Sequence, residues 1–119
     1  MIYIATFYSH FGAVRFKKEC KKKGITVTRE FLQSCGADIE FYNGVKSWFK
    51  RINEYALSKD IVLEHYIISS GTKEIIEGTS IAKEFKEIYA CEFLINEDGI
   101  ATWPKIAINY TAKTQFVFR

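Results

Sequence analysis

The apolar positions of this chain follow a helical period first and strand-like runs later. Over residues 2–23, Ile4, Phe7, Tyr8, Phe11 and Val14 recur at i, i+3 and i+4, which predicts a helix with its aromatics on one face. Lys17, Lys18, Lys21, Lys22 and Lys23 crowd its C-terminal turns, where cations suit the helix dipole, and Gly24 stops it. Thr28 is a predicted N-cap, with Glu30 in the first turn of a short helix ending near Cys35-Gly36. After the break at Asn43-Gly44, the spacing of Val45, Trp48, Phe49, Ile52 and Ala56 predicts an amphipathic helix over 44–58.

From Asp60 the pattern changes. Residues 61–69 are rich in β-branched residues and predict a strand. A helix follows over 72–77, interrupted by Gly78-Thr79-Ser80, with Ser80 capping a further turn through Phe85. A second strand spans 88–95, and Asn96-Glu97-Asp98-Gly99 reads as a hairpin turn. Residues 100–103 return until Pro104 breaks them, residues 106–110 form a short strand, and a helix starts at Thr111. Strand, helix, strand and hairpin in this order predict an α/β fold with a small, mainly parallel sheet.

The stretch from His65 to Ile76 carries the chemistry of most interest. An apolar strand ends in Ser69, Ser70 and Gly71 and turns directly into a helical pattern. Free N–H groups at a helix start favour anions, and the two serine hydroxyls add donors for phosphate oxygens.

Composition narrows the function classes. At 119 residues the chain has room for one domain, and 48% apolar with 26% charged residues is ordinary for a globular protein. A net charge of +3 is too small to imply a nucleic-acid partner, and the lysines near residue 20 read as a solvated helix end. Cys20, Cys35 and Cys91 are odd in number and far apart, which fits reduced thiols in a cytoplasmic protein rather than a disulfide or zinc framework. No apolar run is long enough to span a membrane. His65 lies on a buried-looking strand and reads as a core imidazole rather than a base or metal ligand.

Three segments together resemble the haloacid dehalogenase (HAD) superfamily of phosphatase-like hydrolases. The run Phe41-Tyr42-Asn43-Gly44-Val45-Lys46-Ser47-Trp48-Phe49 resembles the passage from the helical cap into the core. The Ile67-Ile68-Ser69-Ser70-Gly71 tip looks like the second motif, and Asn109-Tyr110-Thr111-Ala112-Lys113-Thr114-Gln115 looks like the third. The resemblance implies a helical cap segment over 1–40 and a partial Rossmann-like core over 41–119. It implies that Ser69, with Ser70 and Gly71, binds a phosphoryl oxygen. It implies that Lys113 neutralises charge on nucleophile and phosphate, as phosphoryl transfer demands. It also implies a phosphorylated small molecule or inorganic phosphate as ligand and Mg2+ as cofactor of a complete member.

The family reaction needs a nucleophilic Asp in an Asp-x-Asp motif and a later acidic pair for the metal. The aspartates are Asp38, Asp60 and Asp98, and none has another Asp two positions on. Asn96-Glu97-Asp98 mimics the motif after a strand, but Asn cannot form an acyl phosphate and Asp-Gly before a return strand is hairpin chemistry. The acidic pair is expected beyond Lys113, where six residues follow. The expectation is a piece or truncated relative of a phosphatase, inactive alone. The alternative is a non-catalytic module that binds phosphate or a protein. Without the nucleophile strand, residues 61–69 are expected to present an unpaired edge, with weak stability or self-association through it as the consequence.

Overall fold

A computed structural model describes residues 2–5, 18–106 and 113–117. Its elements are β1 (Ile2–Ala5), a helical end over 18–22, α1 (Arg29–Ala37), α2 (Val45–Leu57), β2 (Tyr66–Thr72), α3 (Lys73–Glu77), a 3-10 turn (Ala82–Glu84), β3 (Glu87–Ile95), β4 (Ala101–Ile106) and α4 (Thr114–Val117). The fold is mixed α/β around a small mixed sheet ordered β1-β2-β3-β4. β1 and β3 flank β2 in parallel, and β4 returns antiparallel to β3.

Local signals decide most of the helix ends. Gly24 adopts φ 73°, with Ile25 N–H bonded to Cys20 C=O at 2.8 Å and Gly24 N–H to Lys21 C=O at 3.1 Å. That is the Schellman closure expected of a C-terminal glycine. Asp60, at φ 58°, closes α2 the same way, through Ile61 N–H to Ala56 C=O at 2.9 Å. Thr28 caps α1 as expected: Phe31 N–H donates to its Oγ1 at 3.0 Å. Thr28→Ala should cost about 1 kcal/mol, the usual worth of such a cap, whereas Thr28→Ser should keep most of it. The midpoint of urea unfolding measures this, and an unchanged midpoint for Thr28→Ala would mean the cap is idle.

Four expectations need correction. Residues 2–5 are a strand, not the start of a helix: Ile2 sits opposite Tyr66 and Ala5 opposite Ser69. Helical spacing begins only at Ile4, while Ile2-Tyr3-Ile4 has strand-favouring composition that a parallel partner can recruit. The helical reading of residues 6–17 lies outside the described residues. Second, the strand expected over 61–69 is displaced to Tyr66–Thr72. The turn at Asp60 leaves 61–65 as a connector, with Ile61 and Val62 exposed. Third, β2 is therefore not an edge; β1 covers the side expected to be bare, and among the described residues the sheet ends at β1 and β4. Fourth, Pro104 lies inside β4, opposite Phe93. An edge strand tolerates proline because its outer side needs no N–H. The turn expected from Ser80 is a single 3-10 turn entered at Ile81.

The hairpin forms where expected. Gly99 takes φ 79°, and the Asn96 Oδ1 accepts from Asp98 N–H at 3.0 Å and Ile100 N–H at 2.9 Å. Asn96 is thus a turn residue.

Cys20, Val27 and Leu32 pack in one cluster with Phe93 and Ala101 of the β-hairpin. Val27 C=O also accepts from Ala101 N–H at 2.7 Å. Residues on both sides of position 40 therefore share one core. α1 lies against α3 at backbone distance, where Gly36 faces the Ile75 carbonyl and Gly78 faces Gln33. A second cluster joins Ile68 of β2 to Cys91 and Tyr89 of β3.

Candidate functional site

The tip of β2 is buried to an unusual degree for its polarity. Ser69 and Ser70 are 1% and 2% exposed, and Gly71 and Thr72 are buried as well. Small side chains permit this, because β2 runs between β1 and β3 and passes straight into α3. Gly71 N–H donates to Ser69 Oγ at 2.9 Å, a local turn that leaves the serine hydroxyl proton to donate elsewhere. Ser70 C=O accepts from Cys91 Sγ at 3.4 Å. Ser70 Oγ is buried and has no hydrogen-bond partner among the described residues. Such an orphan costs roughly 1–3 kcal/mol unless a ligand or water satisfies it.

Lys113 enters from the far end of the chain and is 4% exposed. Burial pushes its ammonium below the ordinary lysine value, partly offset by the Cys91 thiol. Cys91 bonds to the Ser70 carbonyl and is also the group that acts electrostatically on Lys113. No local signal in the sequence marks Cys91, which reads as one more apolar strand position.

The helix start contributes less than expected. α3 has only five residues, Thr72 makes no side-chain cap bond, and Glu74 occupies the first turn at 2% exposure. A short helix has a weak dipole, and an acid in its first turn competes with an anion. Glu74 Oε1 accepts from Phe93 N–H at 3.3 Å, and burial pushes its carboxyl above the usual carboxylate range. Sequence reading missed this residue too, because an acid at a helix start normally lies on the surface.

The remaining candidates have structural roles. His65 Nε2 lies 2.7 Å from Asn53 Oδ1, and its ring meets Phe49 edge-on at 5.2 Å. Burial lowers its pKa, which suits a neutral core imidazole. Lys18, Lys21, Lys22 and Lys23 are exposed, with Lys22 paired to Glu19 at 3.5 Å. One concavity of about 580 Å3 is formed by the loop from Ala37 to Ser47, and an apolar one of about 420 Å3 by Val45, Trp48, Phe49, Ile67, Ile81 and Phe85. Neither is lined by Ser69 or Lys113. The polar cluster rather than the larger hollow is the better candidate, because it concentrates buried polar groups that need partners.

Among the described residues no group of three His, Cys, Asp or Glu could hold a metal ion. Asp38, Asp60 and Asp98 are exposed and sit in separate turns. These residues do not fit a Mg2+ site, and no step through a metal is derived from them. No helix among the described residues is long and apolar enough to cross a membrane.

No family model matches the chain. A protein of Borreliella burgdorferi described only as uncharacterized is 28% identical over 99 residues, a match covering 79% of this chain and 31% of that protein. The chain thus spans about a third of the length of that relative.

Proposed function

We propose that these 119 residues are the phosphate-gripping part of a HAD-type phosphohydrolase. Ser69 donates a hydroxyl proton to a phosphoryl oxygen, Ser70 and Gly71 complete the same β2 tip, and Lys113 neutralises the phosphoryl charge. The observation that carries this reading is the buried polar tip of β2, where Ser69 and Ser70 are 1% and 2% exposed and Ser70 Oγ has no hydrogen-bond partner among the described residues. Buried hydroxyl groups need polar partners, and a lysine close enough to share a phosphate with them adds opposite charge. Electrostatic groups fixed before the substrate arrives are what phosphoryl transfer requires.

In this reading the nucleophilic aspartate and the acidic Mg2+ ligands lie in sequence outside these residues, and the ligand is a phosphorylated small molecule or inorganic phosphate. The chain by itself then binds phosphate without turning it over. Two measurements test this. Incubation of the chain with 4-nitrophenyl phosphate and Mg2+ should give no hydrolysis above a protein-free control. Calorimetric titration with inorganic phosphate should give binding that weakens about tenfold in Ser69→Ala, the worth of one charge-assisted hydrogen bond. Robust turnover, or phosphate binding indifferent to Ser69→Ala, would sink the proposal.

A further inference from the structure

The pairing between β2 and β3 contains a gap. Ile68 lies opposite Tyr89, and the next pair is Thr72 with Cys91, so β2 advances four residues while β3 advances two. Ser69, Ser70 and Gly71 fall in this excursion, outside the ladder with β3. β2 then ends at Thr72, while β3 continues to Ile95. Beyond Cys91, β3 has lost its parallel neighbour, and a buried backbone N–H without an acceptor is costly. Phe93 N–H finds that acceptor in the Glu74 side chain, at 3.3 Å.

Glu74 is therefore placed as a substitute strand. Its carboxyl is 2% exposed, and Oε2 has no hydrogen-bond partner among the described residues. An ionised carboxylate with one oxygen buried and undonated is far more costly than a neutral acid in the same place. Of the charged groups on the packed elements, Arg29 of α1 favours ionisation and Glu77 of α3 opposes it. Lys73 is engaged with Glu92 of β3 at 3.3 Å, and Lys105 of β4 approaches the same Glu92 at 3.8 Å. Burial is the largest influence and pushes the carboxyl above the usual carboxylate range.

We propose that Glu74 is the positioning residue of the phosphate segment: by standing in for β2 as the acceptor of Phe93 N–H, it anchors α3 to β3 and fixes the Ser69–Gly71 excursion. The proposal rests on the reading of that segment as the phosphate grip. It predicts a grip that loosens as pH rises, because ionisation drives the buried carboxylate toward water and releases Phe93.

Amide hydrogen exchange followed by NMR on the whole chain, for wild type, Glu74→Gln and Glu74→Ala, tests it, with inorganic phosphate titrated in parallel. In Glu74→Gln, which keeps an uncharged acceptor, protection of the Phe93 and Gly71 amides should be retained and flat with pH. In Glu74→Ala both amides should exchange about tenfold faster or more, as for a lost buried hydrogen bond, while Ile67 between β1 and β3 stays protected. Wild type should match Glu74→Gln at low pH and approach Glu74→Ala as pH rises. Should Glu74→Ala fail to fold, the comparison of wild type with Glu74→Gln decides, and identical pH curves overturn the proposal. So does Gly71 protection that is the same in all three. If the amide pattern holds but wild type binds no phosphate, the pin stands and the phosphate reading falls.

Discussion

Alanine at Gly78 should detach α1 from α3 and cost the protein a large part of its stability. A Cβ there would overlap the Gln33 carbonyl oxygen and lie 2.6 Å from the Gln33 Cα. The reciprocal change, Gly36→Ala, would overlap the Ile75 carbonyl and lie 3.0 Å from Gly78 Cα. All of these are backbone atoms, so no side chain can swing aside and the helices themselves must separate. Gly78 has φ −79°, which alanine adopts without strain, so the steric conflict is the whole effect. At Gly36, inside α1, alanine has the better helix propensity by about 1 kcal/mol, and overpacking costs about 1–3 kcal/mol or more. The clash wins at both positions. Denaturant unfolding should show midpoints lowered in both variants, against a typical total stability of about 5–15 kcal/mol. A midpoint equal to wild type in either variant would show that the two helices do not meet as described. Because α3 follows directly from the Ser69–Gly71 segment, both variants should also weaken phosphate binding.

Lys113→Met should move stability and binding in opposite directions. Lys113 is 4% exposed, and its surroundings lower its pKa, so on balance they disfavour the ammonium. A base whose pKa is depressed by folding contributes full stability above its unfolded pKa and loses it as pH falls through the folded value. At neutral pH the cost is therefore present, and a methionine of similar length removes it. Lys113→Met should be at least as stable as wild type at neutral pH, and its advantage should shrink toward alkaline pH. Its affinity for inorganic phosphate should fall about ten- to hundredfold, for the loss of about 1.5–3 kcal/mol of charge-assisted bonding. Thermal unfolding and calorimetry on the same samples separate the two effects. A variant both less stable and unaltered in binding would assign Lys113 a structural role.

What could be read from the sequence was what short-range chemistry determines. Thr28, Gly24 and the Asn96-Glu97-Asp98-Gly99 turn each satisfy their own neighbours' backbone groups, and each forms where its residue types indicate. His65 likewise proved to be a satisfied core imidazole. The misreadings lie where a distant partner decides. β1 is a strand because Tyr66–Ser69 offers it an edge, and three strand-favouring residues running into a helical pattern do not announce that by themselves. Ile61 and Val62 look like strand core but follow a Schellman turn that leaves them exposed. In the candidate site, Ser69 and Lys113 were visible through their motif-like neighbours. Cys91 and Glu74 were not, because their significance comes from the β2–β3 gap. Gly36 and Gly78 did carry a signal, since glycine within or beside a helical pattern marks a close approach of backbones.

The order of strands has a bearing on how the protein assembles. β1 stands at the end of the sheet and holds to β2 over four residue pairs, yet the two are separated in sequence by α1 and α2. Closing so long a loop for so little contact is entropically the least rewarded step in the fold. β2, β3 and β4 are joined by shorter connections, so loop-closure entropy favours their pairing over the docking of β1 on the free flank of β2. Any state in which β1 is undocked leaves the backbone beside Ser69 open to competing strands, so the lifetime of such a state bears on mispairing independently of the final stability.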